Sequence, residues 1–369
     1  MEWQIRRKKL LGMLYFRYPL VTVFTSDDLD RLLSGSPHAI IGADCCFPLS
    51  SSFPSRAVPH SIMFLLRRKP PVVPDAVRLE IFLYHFVSDR RNDFTLHGHT
   101  VTPDVFRSHL EYLAARYTIV RLSEAVGLPP GRKGPFAAVC FDDGYRCILE
   151  EAYPVLQAMR IPATMFVNPP VLGNRDLLWR DKIRYLIRRE LEEEFIAFLR
   201  SRRGRYRFGR LPALGFYKWT KNPKALGDMA IQKDVDAFFA EKGFDPAAIA
   251  YENGLFMEES DVAPREFLAF GNHTWSHPIL TLLPKDRQEE EIGKCHAYLA
   301  ARGVEATGLA LPFSPFNRHT VAVCRRLGYP FLLTVYEHSN RLEGENTKIP
   351  VILHRRMAPR NAEDIVRLV

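Results

Sequence analysis

The chain alternates short apolar runs with helical patterns, and that rhythm narrows the fold more than any other feature of its 369 residues. The runs Leu79–Val87, Tyr117–Leu122, Phe136–Phe141, Ala163–Val167, Glu266–Gly271, Gly308–Leu311 and Tyr329–Val335 have the length and content of buried strands. Helical patterns lie between several of them, at Pro103–Arg116, Tyr145–Met159, Lys285–Arg302 and Asn317–Leu327. In the first, Phe106, Leu110 and Leu113 recur at helical spacing, and Pro103 stands in the first turn, where its missing N–H costs nothing. Such alternation predicts a parallel sheet covered by helices. Strand periodicity alone does not separate a closed (β/α) barrel from a doubly wound open sheet.

Two segments depart from the rhythm. Residues 1–78 read as an N-terminal extension, with Arg6-Arg7-Lys8-Lys9 ahead of an apolar stretch that Arg17 and Pro19 interrupt. Neither a signal peptide nor a membrane span is expected there. The stretch is either a packed extension or a basic, aromatic segment that docks on a bilayer face. Lys69–Pro74 reads as a linker into residues 79–369. Within those, residues 174–262 read as a mostly helical insertion, with long patterns at Asp176–Arg203 and Pro223–Lys242. The insertion either shapes a substrate groove or is a solvated excursion, and the basic run Arg202–Arg210 either contacts an anionic glycan or is an exposed turn.

Two short motifs follow strand-like runs. Phe141-Asp142-Asp143-Gly144 closes one, and His273-Thr274-Trp275-Ser276-His277 follows another. Taken singly they could be an N-capping carboxylate pair and surface histidines. Together they supply a metal site and a spare base. A catalytic divalent ion takes imidazole nitrogen and carboxylate oxygen from three protein ligands and keeps a position open for water. Pro278 disfavours a full helix at His277. Neighbouring strand residues point to opposite faces, so both carboxylates reach one site only if the strand ends there, a break that Gly144 permits.

These motifs resemble those of the polysaccharide deacetylases, carbohydrate esterase family four, which includes the chitooligosaccharide deacetylases. The first motif matches at 141–144 and the second at 273–277, while the third is met in part by Pro312, Phe313 and Asn317. The resemblance spans roughly residues 79–360 and implies a distorted, incomplete TIM-like (β/α) barrel with its chemistry at the C-terminal ends of the strands. It implies Asp142 as the catalytic base and Asp143, His273 and His277 as ligands of a divalent metal, zinc first, with cobalt, nickel or manganese also compatible. It also implies that the Phe313 backbone N–H helps hold the oxyanion. His85, Trp275, Pro312 and Asn317 are candidate substrate-binding positions. His354, in a loose version of the last motif at Ile352-Leu353-His354, is either the general acid or an ordinary surface histidine.

Departures from the family pattern are equally plain. Ala310 stands where the third motif has the arginine that orients the base, and Ser314 replaces its glycine. Asp142 therefore needs another partner or is less well tuned. No Asp-Trp fourth motif occurs between Tyr329 and Pro350.

The resemblance implies hydrolysis of an N-acyl, foremost an N-acetyl, group on an amino sugar of a polysaccharide, lipopolysaccharide or lipid-linked glycan. Two alternatives remain: a carbohydrate-binding relative weak in catalysis, and a metal-dependent hydrolase of another carbohydrate bond. A net charge of +9 suits acidic partners, but the basic residues are scattered and no nucleic-acid-binding motif occurs, so nucleic acid is not an expected partner. Six cysteines, at positions 45, 46, 140, 147, 295 and 324, form no Cys-x-x-Cys pair. They read as reduced thiols in the cytoplasm, with peripheral membrane contact through the N-terminus as an option. No oligomeric state follows.

Overall fold

The computed structural model describes residues 77–94, 100–128, 134–202, 204–208, 215–342 and 350–368. The expected membrane-docking segment, the Lys69–Pro74 linker, Cys45 and Cys46 lie outside these residues. Among the described residues no helix is long and apolar enough to cross a membrane.

Seven parallel strands form the frame: β1 (Val77–Tyr84), β2 (Phe136–Phe141), β3 (Ala163–Val167), β4 (Leu268–Asn272), β5 (Leu309–Ala310), β6 (Phe331–Val335) and β7 (Val351–Met357). Each pairs with the next, and β7 returns to β1 through Phe82 opposite Arg356 and Leu83 opposite Met357. The ring is closed and has one strand fewer than the eight of a TIM barrel. The barrel, not the open sheet, is the architecture.

Alternation along the strands sorts side chains into two layers. Leu79, Ile81 and Leu83 of β1 cluster inside the ring with Phe136, Ala138 and Cys140 of β2, Leu333 of β6 and Leu353 of β7. Phe82 and Tyr84 face outward, where they meet Phe106, Leu110 and Leu113 of helix α1 (Pro103–Ala114). Those three helix residues are fully buried, a gain of roughly 1.5–3 kcal/mol each. Thr102 caps α1 by accepting from the Val105 N–H at 3.2 Å.

Sequence and structure differ at three places. Tyr117–Leu122 contributes only Thr118–Ile119, which lies beside β2 outside the ring. The place in the ring goes to β7, whose His354, Arg355 and Arg356 disguise its strand character. The long amphipathic pattern after residue 176 is two helices, α3 (Trp179–Arg188) and α4 (Glu192–Ser201), following α2 (Tyr153–Met159) in the chain. Glu190, at φ +59°, breaks the helical path between them.

Helix α5 (Ala230–Glu241) joins α3 and α4 in a second apolar core between β3 and β4, built on Ile183, Leu186, Phe195 and Phe238. Of the basic run, Arg202 and Arg205 pair with Asp234 at 3.6 and 3.4 Å, and Phe208 stacks on Trp219 with ring centroids 4.8 Å apart. In these contacts the run packs against the rest of the insertion, while the Arg202 and Arg205 side chains stay exposed. Helices α6 (Lys285–Ala300) and α7 (Arg318–Arg326) follow β4 and β5.

Candidate active site

Strand β2 ends at Phe141, and the chain turns sharply. The Asp142 N–H still bonds to the Tyr84 carbonyl at 3.2 Å, extending the β1–β2 ladder by one step. Asp143 and Gly144 then both take φ of +74°. The left-handed turn thus begins at Asp143 itself, one residue earlier than the glycine suggested, and it directs both carboxylates into one cavity. Gly144 has a second reason to be glycine, because a Cβ there would lie 3.2 Å from the Leu172 side chain.

The histidine segment after β4 is not helical. Thr274 and His277 adopt φ of +68° and +58°, and these two reversals bring the imidazoles to within 4.9 Å, centroid to centroid. Among the described residues, five of the eight non-glycine residues with positive φ lie at this site: Asp143, Thr274, His277, Phe313 and Ser314. Left-handed non-glycine residues cost about 1–3 kcal/mol each and persist only where surrounding contacts hold them. Here the contacts are dense. The Asn168 side chain donates to the carbonyls of His273 (2.6 Å) and Thr274 (3.0 Å). The Thr274 N–H donates to Asn272, the Ser276 N–H to Glu291 of α6, and the Trp179 indole to the His277 carbonyl.

Asp143, His273 and His277 converge, each offering one ligand atom, with all three atoms within 4.8 Å of one another. Asp143 Oδ1 lies 3.4 Å from His273 Nε2 and 3.5 Å from His277 Nε2. That oxygen is buried and has no hydrogen-bond partner. His273 Nδ1 donates to the Ala310 carbonyl at 2.8 Å, which leaves the Nε2 lone pair directed at the centre. Burial pushes the His277 imidazole down to about 3, helped by His273, Arg180 and Arg184 against the pull of Asp143. It is therefore neutral and able to coordinate. Burial opposes ionisation of Asp143, yet the close imidazole of His273 and the neighbouring His277 and His85 hold it well below the usual carboxylate range. An orphaned anionic oxygen facing two imidazole nitrogens fits a divalent cation.

Asp142 stands beside this triad, with Oδ2 3.6 Å from His273 Nε2. Its other oxygen accepts from Arg355 Nη1 at 2.6 Å. Arg355 belongs to β7, points into the barrel and is completely buried. It supplies the partner that Asp142 was expected to need in the absence of an arginine at Ala310. The sequence reading missed it, although Leu353 and Met357, two positions either side, signalled that Arg355 shares their apolar face.

A cavity of about 280 Å³ opens over these groups, lined among others by His85, Pro312, Phe313, Arg180, Arg184, Tyr217 and Lys221. His85, Pro312 and Phe313 are thus where the sequence reading put them. The Phe313 ring lies 4.9 Å from that of His277, and its N–H donates to no backbone group among the described residues. Three expected positions lie elsewhere. His354 is next to the inward-pointing Arg355 and so faces outward, where its Nδ1 lies 2.7 Å from the Thr334 hydroxyl and its ring faces Tyr336. It is not among the residues lining the cavity, the placement of the surface-histidine alternative. Asn317 is the N-cap of α7, its side-chain oxygen accepting from the N–H groups of His319 and Thr320. Trp275 turns toward Tyr298 and Lys294 on α6, away from the cavity. A further hollow of about 490 Å³, at His296, Thr307 and Pro330, opens at the N-terminal end of the barrel, remote from this chemistry.

The barrel thus gathers two carboxylates and two imidazoles at one cavity at the C-terminal ends of its strands. The polysaccharide deacetylase family model matches residues 131–194 and 261–332, two segments that flank most of the insertion. They contain Asp142, Asp143, His273, His277 and Phe313, the residues on which the motif resemblance rests. Among solved structures, the chain is similar to BA0330 from Bacillus anthracis, classed with the polysaccharide deacetylases. That match has 16% identity and a TM-score of 0.50, and it covers 80% of this chain and 69% of the other. The deacetylase PplD of Streptococcus pyogenes matches at 17% identity and TM-score 0.47, over 79% and 98% of the two chains. IcaB from Ammonifex degensii matches at 17% and 0.46, over 80% and 95%. No curated protein matches.

Proposed function

We propose that this chain removes an N-acyl group, foremost acetyl, from an amino sugar of a polysaccharide, lipopolysaccharide or lipid-linked glycan, with a divalent metal at Asp143, His273 and His277. The observation that carries this reading is a pair of adjacent carboxylates with separate partners. Asp143 faces two imidazoles, and Asp142 is held by Arg355. Bound there, a divalent cation would lower the pKa of a water toward neutrality and polarise the amide carbonyl.

The chain's own groups do the rest. Asp142, whose Oδ2 points toward the triad, takes the proton of the attacking water. Arg355 keeps that carboxylate aimed. The Phe313 N–H is the donor offered to the oxyanion, a contribution of several kcal/mol when such a donor is pre-aimed. His85 is the imidazole lining the cavity outside the triad and is the group we assign to protonate the leaving amine. The test is acetate and formate release from a panel of N-acyl amino sugars by protein loaded with zinc, cobalt, nickel or manganese. Metal binding without release of either acid across the panel would favour the carbohydrate-binding alternative. Release of reducing ends would favour cleavage of a glycosidic bond.

A further inference from the structure

The wall of the cavity that faces the metal triad is strongly cationic, and the barrel does not build it. Arg180 and Arg184 come from α3, and Lys221 follows the short helix Phe216–Trp219, all in the insertion. Arg184 has a carboxylate of its own, Asp181, at 2.6 Å. Arg180 does not. Although only 3% exposed, it directs its donors to neutral groups, the Thr220 hydroxyl and the Tyr217 carbonyl, and lies 3.9 Å over the Tyr217 ring. Lys221 lies 4.9 Å from the same ring. Neither cation has a carboxylate at ion-pair distance among the described residues. The two carboxylates that do line the cavity are committed elsewhere, Asp142 to Arg355 and Asp143 to the triad.

Cations in a low-dielectric wall without carboxylate partners are costly, and an anion entering the cavity would relieve that cost. Two neighbours register the concentration of positive charge. Burial and the repulsion of Arg180 and Arg184 push Lys221 down to about 8. Against its own burial, the Tyr217 phenol is drawn down to about 7 by Arg180, Arg184 and Lys221. The wall is also close to the chemistry. Arg180 lies 5.5 Å from the Phe313 ring, which in turn contacts His277.

We propose that the substrate is an anionic amino sugar, whose phosphate or carboxylate docks on Arg180, Arg184 and Lys221 while its N-acyl group meets Asp142. This rests on the deacetylase reading of the site, and it assigns the insertion the role of selecting substrate charge.

The test measures binding by calorimetry on zinc-loaded Asp142→Asn protein, so that turnover does not intervene. The probes are N-acetylglucosamine, its 1-phosphate, N-acetylmuramic acid and inorganic phosphate alone. At least one charged sugar should bind on the order of tenfold more tightly than the neutral one, the size expected of a charge-assisted contact. The phosphate and carboxylate arms separate the two sources of charge. That advantage should vanish on adding Arg180→Met or Lys221→Met and should survive Lys221→Arg. The Lys221 variants alter a half-buried side chain, so they remain informative if Arg180→Met fails to fold. Equal affinity for charged and neutral sugars overturns the proposal, as does a charge advantage unchanged by Lys221→Met, which would place the anion on the metal. Acid release by the wild-type protein keeps the two readings apart. Release from neutral and charged sugars alike sinks this proposal and leaves the deacetylase reading intact, whereas charge-selective binding without release does the opposite.

Discussion

Arg355→Met tests the feature that most distinguishes this site. Arg355 is fully buried, its Nη1 bonds to Asp142 Oδ1 at 2.6 Å, and Asp142 is itself buried. Removing one member of a buried pair leaves the other charge uncompensated and costs about 3–5 kcal/mol. A domain has only about 5–15 kcal/mol of stability, so the variant should fold with a clearly lowered melting temperature. The effect on catalysis is separable. A base displaced by about 1 Å loses on the order of a hundredfold in rate, so kcat should fall by that order with little change in KM. Zinc content should not change, because Arg355 contacts none of Asp143, His273 and His277. Only one guanidinium nitrogen engages Asp142, and Nε and Nη2 have no partner, so Arg355→Lys should retain more activity than Arg355→Met. Adding Ala310→Arg to Arg355→Met returns a guanidinium from the position the family uses, and it should recover part of kcat. The assay is acid release at several pH values, with metal content read by elemental analysis. A variant that keeps kcat within about threefold, or loses zinc along with activity, would refute the assignment of Arg355 as the positioning group.

Other substitutions separate roles within the site. Asp142→Asn should abolish acid release while retaining metal, whereas His273→Ala should lose both; equal metal loss in the two contradicts the assigned division. His354→Ala should leave kcat within about threefold, since the side chain faces outward, and a loss of about a hundredfold or more would restore it as general acid. Asn317→Ala should lower stability by about 1 kcal/mol in chemical denaturation through loss of the α7 cap, with KM unchanged; a raised KM at unchanged stability would return it to the substrate site. Chelation should lower the melting temperature. A metal bound only by the folded state at a hundred times its dissociation constant adds about 2.7 kcal/mol, and an identical melting curve with and without zinc would argue against the site.

What the sequence made legible was local. Phe136–Phe141 and Ala163–Val167 are strands as read, since each is a short, buried and mainly apolar run bounded by turn residues. Asp142, Asp143, His273 and His277 were legible because each pair is contiguous or nearly so. The backbone that aims them was not. A left-handed Thr274 and His277 depend on Asn168, Glu291 and Trp179, which lie in separate elements and bear no spacing that ties them to the motifs. The positions of Asn317 and His354 were illegible for the converse reason: a motif position shows which residue is present, whereas helix capping and strand alternation decide where its side chain goes.

Arg355 shows how a function can move between elements. It lies 213 positions from the carboxylate it holds, and only closure of β7 onto β1 brings it there. Inward-facing positions of β5 and β7 project into the same interior cluster, which contains both Ala310 and Leu353. Either strand can therefore deliver a guanidinium to the base, provided the other leaves room. Ala310 leaves room: it is completely buried, with a side chain too small to compete for the interior that Arg355 occupies. The missing arginine of the third motif and the buried arginine of β7 are thus one substitution in two parts. A single Ala310→Arg change in the wild-type protein should destabilise it by setting two cations against one carboxylate, and the double variant should relieve that loss.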